Sequence, residues 1–335
     1  MKNKHNIRYL VLWVADYCNL QCKYCYAQKN FKRNKMSFAT AKKAIELCDS
    51  KDFTLIFAGG EPLLNFELIE KTINFLDENH YRCKIGMQTN GTLITEEIAK
   101  KLKTANINIG VSFDGDIKTN EYLRGKTGCT LNGITLLKEE KININLNCVV
   151  TDKNITKLED LINFAYYLGN VNGIGLDLLR INETSEKNDL LPPQPEDIYP
   201  NLKKAYKRTQ LLEKLTGKKI GIREIEEIKI RANIKCSSGY CYSSFGQNMV
   251  VTPDGDTYPC SSLVGISEYF MGNIKDKVTP LTLEKGKYEK CSKCSYNDIC
   301  KGCCPSRMIH NKEHFMEDRD CFLRKAVFRL LEEDK

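Results

Sequence analysis

RYLVLWVADYCNLQCKYCY, residues 8–26, runs an apolar, strand-like stretch straight into three cysteines spaced CxxxCxxC. Five further runs share the strand's texture: DFTLIFAGG, CKIGMQTN, NINIGVSFDG, ININLNCVVT and VNGIGLDLLR. Between them lie stretches with helical spacing, among them SFATAKKAIELCDS, FELIEKTINFLDEN, TEEIAKKLKTA and KLEDLINFAYYLG. Six β/α units in series predict a parallel sheet covered by helices, either open or closed partly or wholly into a barrel. In both architectures chemistry gathers at the carboxyl ends of the strands. Four stretches should therefore converge on one face: Cys18, Cys22 and Cys25 after strand one, Gly59-Gly60-Glu61-Pro62 after strand two, Gln88-Thr89-Asn90 ending strand three, and Ser112 to Gly115 ending strand four.

At 335 residues and 41% apolar content the chain exceeds the size at which single cores usually split, which predicts one large and one smaller domain. No run of eighteen or more apolar residues occurs, and the short basic start MKNKHNIRYL lacks a small-residue cleavage site. The chain thus reads as cytoplasmic, with no membrane association. In a reducing compartment sixteen cysteines argue for metal or cluster ligation rather than a disulfide framework. The formal charge of +8 comes from scattered lysines, as on a solvated surface. No basic patch interleaved with aromatics is visible, so nucleic acid is not expected as a partner.

The stretch ETSEKNDLLPPQPEDIYP, residues 183–200, is acidic and proline-rich and reads as a linker or surface excursion. A Lys/Glu-rich connector, expected to be helical, follows to about residue 235. From Cys236 onward nine cysteines crowd the last hundred residues, the mark of a small domain organised around metal. The expected division is 1–182, 183–235 and 236–335.

Structural zinc closes its shell with four protein ligands, whereas a [4Fe–4S] cube held by three cysteines leaves one iron open for chemistry. CxxxCxxC on the loop leaving strand one, with Tyr24 before the last Cys, and GGEP after strand two, resembles the radical S-adenosylmethionine (SAM) superfamily. The resemblance implies a partial (β/α)6 TIM-like barrel over residues 8–180. It implies that Cys18, Cys22 and Cys25 bind the cluster, that SAM chelates the open iron, and that one electron cleaves SAM to a 5′-deoxyadenosyl radical. Tyr24, Gly59, Gly60, Glu61, Pro62, Ser112, Asp114 and Arg124 fall where family members bind SAM. The glycines would let backbone approach the methionyl ammonium, and Glu61 would accept from it. Ser112, Asp114 and Arg124 also read as a strand alternation, a turn and a solvated residue at a helix start, and these alternatives stay open.

The tail pattern Cys291-x2-Cys294-x5-Cys300-x3-Cys304, with Cys321 after it and Cys236, Cys241 and Gly255-x4-Cys260 before it, resembles the SPASM extension of peptide- and protein-modifying radical SAM enzymes. The resemblance assigns Cys236, Cys241, Cys260 and Cys304 to an auxiliary [4Fe–4S] cluster near the active site, and Cys291, Cys294, Cys300 and Cys321 to a farther one. That makes three clusters, with interleaved ligands tying a loop-rich domain together. Cys303 competes with Cys304 for one ligand position. Cys48 and Cys148 read as buried small hydrophobes, Trp13 as core, and no histidine receives a role.

The expected function is a radical SAM peptide maturase, an oxidoreductase acting on a ribosomally synthesised, Cys-rich precursor peptide (a RiPP substrate), with a thioether crosslink as the expected product. Carbon–carbon crosslinking, oxidative decarboxylation and formylglycine formation use the same machinery. Anaerobic sulfatase-maturing enzymes share the eight-cysteine layout but place an Asp directly after the Gly-x4-Cys cysteine, where this chain has Ser261. With almost nothing before strand one, leader recognition would need a separate protein, or the barrel and the second domain would hold the substrate alone; a flavodoxin or ferredoxin would supply electrons. The rival from another class is a non-catalytic iron–sulfur electron carrier, for which GGEP and a three-ligand site have no purpose.

Overall fold

The computed structural model describes residues 4–30, 32–234, 239–283 and 288–334. Cys236 lies outside the described residues. The six expected strands form: β1 (Tyr9–Ala15), β2 (Thr54–Gly59), β3 (Lys84–Thr89), β4 (Asn108–Ser112), β5 (Ile144–Val150) and β6 (Val171–Leu178). Three more complete the sheet, β7 (Gly221–Ile222), β8 (Asn248–Val251) and β9 (Thr257–Tyr258), in the order β7-β6-β5-β4-β3-β2-β1-β8-β9. Every pairing is parallel except the antiparallel β8–β9 pair at one edge. The mixed α/β, TIM-like architecture thus has the expected strand order, and β8, from the cysteine-rich tail, docks parallel on β1.

The helices are α1 (Phe38–Glu46), α2 (Phe66–Glu78), α3 (Glu96–Thr104), α4 (Ile117–Leu123), α5 (Thr127–Glu139), α6 (Leu158–Leu168), α7 (Glu183–Glu186), α8 (Pro195–Thr216), α9 (Arg223–Ile234), α10 (Pro305–Asn311) and α11 (Arg319–Glu333). Starts follow familiar chemistry: Ser37 and Thr95 accept from the backbone N–H groups of Thr40 and Ile98. Two features depart from the sequence reading. A pair of helices, α4 and α5, connects β4 to β5. The proline-rich stretch expected as a linker ends in α8, where Pro195 takes the first turn with Glu196 and Asp197, placements that favour a helix start. Among the described residues, no helix is long and apolar enough to cross a membrane.

Alternation along the strands sorts two faces. Leu10, Leu12 and Val14 of β1, Leu55 and Phe57 of β2, and Leu146, Cys148 and Val150 of β5 are buried in the main core with the helices. On β3 to β6 the opposite face is small or polar: Gly86 and Gln88, Gly110 and Ser112, Asn145 and Asn147, Gly173 and Gly175, whereas β1 and β2 present Val11, Trp13 and Ile56 there. A barrel whose inner face carried branched side chains would fill itself. Here glycines and amides leave a cavity of ≈ 1060 Å³.

Candidate functional site

The cysteine loop is built onto the turn after β2. Gly60 N–H donates to Ala15 O at 2.9 Å, and Glu61 N–H donates to Tyr17 O at 3.0 Å. Gly59 has φ +129, a region closed to most side chains, and a Cβ at Gly60 would stand 2.8 Å from the Cys18 amide nitrogen. The glycines are thus required first by the chain's own backbone. Glu61 is fully buried, and its carboxylate accepts from Leu63 N–H (3.1 Å), Thr89 Oγ1–H (2.6 Å) and Asn90 N–H (2.8 Å). It ties the turn after β2 to the end of β3. Gly59 and Gly60 line the cavity; Glu61 and Pro62 stand behind that wall.

Cys18, Cys22 and Cys25 all line the cavity. Leu20 N–H and the Asn90 amide donate toward Cys18 Sγ, at 3.4 and 3.6 Å. Burial pushes the Cys18 thiol up to about 11, the Cys25 thiol up to about 12, and the Cys22 thiol upward as well. Without a cation they hold their protons at neutral pH; bound iron would favour the thiolates. Such an all-sulfur donor set suits an iron–sulfur cluster. Among the described residues, no three His, Cys, Asp or Glu side chains are arranged around a single metal ion.

Tyr24, Asp114 and Arg124 form one buried network. Tyr24 O–H donates to Asp114, Arg124 donates to Tyr24 Oη, and the Arg124–Asp114 ion pair spans 3.6 Å. Asp114 also accepts from Val149 N–H at 2.8 Å, which leaves its carboxylate inside the wall while Arg124 and Tyr24 line the cavity. Ser112 lines it too and accepts from Gln88 at 2.7 Å; Gln88 in turn accepts from Asn147. Gly110 makes this belt possible, since a Cβ there would meet Gln88 Oε1 at 2.5 Å and Asn147 Nδ2 at 2.6 Å.

The tail supplies another part of the wall. Cys241, Cys260 and Cys304 line the same cavity as the CxxxCxxC thiols. Cys304 Sγ lies 3.7 Å from the Arg180 guanidinium, whereas Cys303, 2% exposed, lines neither cavity. Asp177 of β6 binds Arg180 at 2.8 Å and also Arg307. Burial alone would raise the Asp177 carboxyl, but Arg180, Arg307 and Arg223 outweigh it and hold it well below the usual carboxylate range. Sequence reasoning missed Asn147, Asp177, Arg180 and Arg307. The available signal was Asp177 on the inner register of the otherwise apolar run GIGLDLL, with Arg180 three residues after it.

A second, small cavity of ≈ 30 Å³ is lined by Cys291, Cys294, Cys300 and Cys321, the four residues expected for the farther cluster. Of the remaining cysteines, Cys48 and Cys148 are buried and Cys129 is exposed. Trp13 is 1% exposed, in the core as expected.

The family model of the Radical SAM superfamily matches residues 14–165. An uncharacterised protein of Methanocaldococcus jannaschii is 38% identical over 296 residues, 85% of this chain and 94% of that one. The Cysteine-type anaerobic sulfatase-maturating enzyme of Clostridium perfringens is 29% identical over 329 residues, 86% of this chain and 85% of its own. Among solved structures, native anSMEcpe with bound AdoMet and Cp18Cys peptide superposes with a TM-score of 0.73 at 23% identity, covering 95% of this chain and 98% of that one. That likeness is one of fold.

Proposed function

The chain belongs to the radical SAM superfamily, and on that footing we propose that it is a maturase that oxidatively modifies a ribosomally made peptide. One observation carries the reading: the CxxxCxxC thiols and the tail thiols Cys241, Cys260 and Cys304 line one and the same cavity. Cys18, Cys22 and Cys25 would hold a [4Fe–4S] cluster. Cys236, Cys241, Cys260 and Cys304 would hold one auxiliary cluster, and Cys291, Cys294, Cys300 and Cys321 the other. When bound, the first cluster and SAM supply a 5′-deoxyadenosyl radical that removes a hydrogen atom from the substrate.

The chain's own residues would do the rest. Backbone at Gly59 and Gly60, the Ser112 hydroxyl and the Arg124 guanidinium bind SAM; Tyr24 and Asp114 fix Arg124, and Glu61 and Pro62 fix the turn. Residues 1–182 supply this face, 236–335 the auxiliary face, and 183–235 join them. A flavodoxin or ferredoxin delivers the electron, and the peptide is held against the cavity walls.

Closing a thioether from a C–H and an S–H removes two electrons. One electron leaves within the hydrogen atom taken by the radical, the thiol gives up its proton to solvent, and the second electron needs an acceptor, a role that clusters held by the tail thiols would supply. The relationship to a sulfatase-maturating enzyme favours a second reading, oxidation of a Cys to formylglycine. Ser261 offers no carboxylate after Cys260, and Asp177 is held ionised by three arginines, a weak base. Thioether formation therefore stands first. Mass spectrometry of a Cys-containing candidate peptide, co-expressed with the enzyme, tests it. Loss of two hydrogens with one thiol blocked to alkylation supports a thioether, whereas gain of an aldehyde supports formylglycine.

A further inference from the structure

Arg324 sits one helical turn after Cys321 on α11, so the two share a face. It is 2% exposed and lines the small cavity with Cys291, Cys294, Cys300 and Cys321. Its Nη2 donates to Tyr240 Oη at 3.3 Å, but Nε and Nη1, both buried, have no hydrogen-bond acceptor among the described residues.

A guanidinium does not deprotonate in proteins, so the fold buries a full charge with two donors unspent, a costly arrangement unless an acceptor of negative charge completes it. The surrounding carboxylates are committed elsewhere. Asp320 forms a two-pronged pair with Arg307 at 2.6 and 2.7 Å. Glu224 binds Arg223 at 2.7 Å and accepts from Leu176 N–H at 2.9 Å. Glu227 binds Lys301 and, at 3.2 Å, Arg231.

We propose that Arg324 donates Nε–H and Nη1–H toward the sulfur atoms of the auxiliary cluster held by Cys291, Cys294, Cys300 and Cys321, and thereby raises that cluster's reduction potential. The inference rests on reading those cysteines as ligands. A cluster on four thiolates is anionic and gains a further negative charge on reduction, so a fixed cation with two donors favours the reduced form. Arg324 is then a positioning residue that tunes where the surplus electron goes. Its third nitrogen reaches Tyr240, which also accepts from Arg307 at 2.6 Å on the wall of the main cavity, linking the two cavities through charged hydrogen bonds.

The test is an EPR-monitored redox titration of the reconstituted full chain carrying Cys25→Ala, which leaves the auxiliary signals alone. With Arg324→Gln, one auxiliary midpoint should move to a more negative potential, the reduced-to-oxidised ratio at fixed potential falling about tenfold, or about 59 mV for one electron. Arg324→Lys, which keeps the charge but loses the fork, should shift the same midpoint part of the way, and it carries the test if the Gln variant fails to assemble. An unmoved midpoint, with iron intact, overturns the proposal. Cys291→Ser with Cys294→Ser separates the two failures: if iron content is unchanged there, the ligand reading itself falls.

Discussion

A Cβ at Gly60 would stand 2.1 Å from the Tyr17 carbonyl oxygen, so only a glycine lets the turn after β2 lie against the cysteine loop. Gly60→Ala must push the two apart. Overpacking of this kind costs about 1–3 kcal/mol, and here it also displaces Cys18. The expected outcome is a lower melting temperature together with loss of the iron bound by CxxxCxxC, measured by iron analysis and EPR. Gly128, near the start of α5, has open space around its missing side chain, so Gly128→Ala should stabilise by roughly 0.5–1 kcal/mol and leave the iron in place.

Tyr24→Phe removes the hydroxyl that joins Asp114 to Arg124 while keeping the ring. A buried acceptor left without its donor costs about 1–3 kcal/mol. Iron content should hold, and SAM affinity, measured by equilibrium dialysis, should fall as Arg124 loses its fixed position. Unchanged SAM affinity would show that Arg124 does not contact the cofactor.

The neighbouring thiols separate cleanly. Cys304→Ser should remove one auxiliary cluster, roughly four iron atoms, because that side chain lines the main cavity beside Arg180. Cys303→Ser should leave iron content unchanged and show only the cost of a buried hydroxyl in a denaturation curve. The opposite pattern would reassign the ligand.

His310 shows how acid should weaken the tail. Burial lowers its pKa, and its Nε2 lies 2.8 Å from the Ser262 carbonyl oxygen. A histidine with a depressed folded pKa contributes stability that is present above the ordinary value near 6.5 and lost as pH falls through the folded pKa. The urea midpoint should therefore drop as pH goes from about 7.5 to below 6.5, and His310→Gln should flatten that slope.

The six strands were legible because each is a run buried by helices on one face, and their apolar texture survives whatever the inner face carries. The helices between β4 and β5 were not. α5 reads TGCTLNGITLLKE, rich in Gly and β-branched residues with weak helix propensity. Gly133 is there because a Cβ would meet Gly91 O at 2.1 Å, a tertiary demand invisible to local pattern. β7, of two residues, is too short to carry a period. At the site, Glu61 and Asp114 were found by motif, but their carboxylates prove to be spent on Thr89, Asn90, Tyr24 and Val149 inside the wall. Asp177 and Arg307 come together from positions 130 residues apart, which spacing alone could not reveal.

The most direct measurement of the central claim is 5′-deoxyadenosine released by anaerobically reconstituted protein supplied with SAM, dithionite and a Cys-containing candidate peptide, beside a Cys25→Ala control. Reductive SAM cleavage by the wild type, abolished in the control while tail iron persists, is the predicted result. Equal release from both proteins, or none from a wild type carrying its full iron complement, would contradict it.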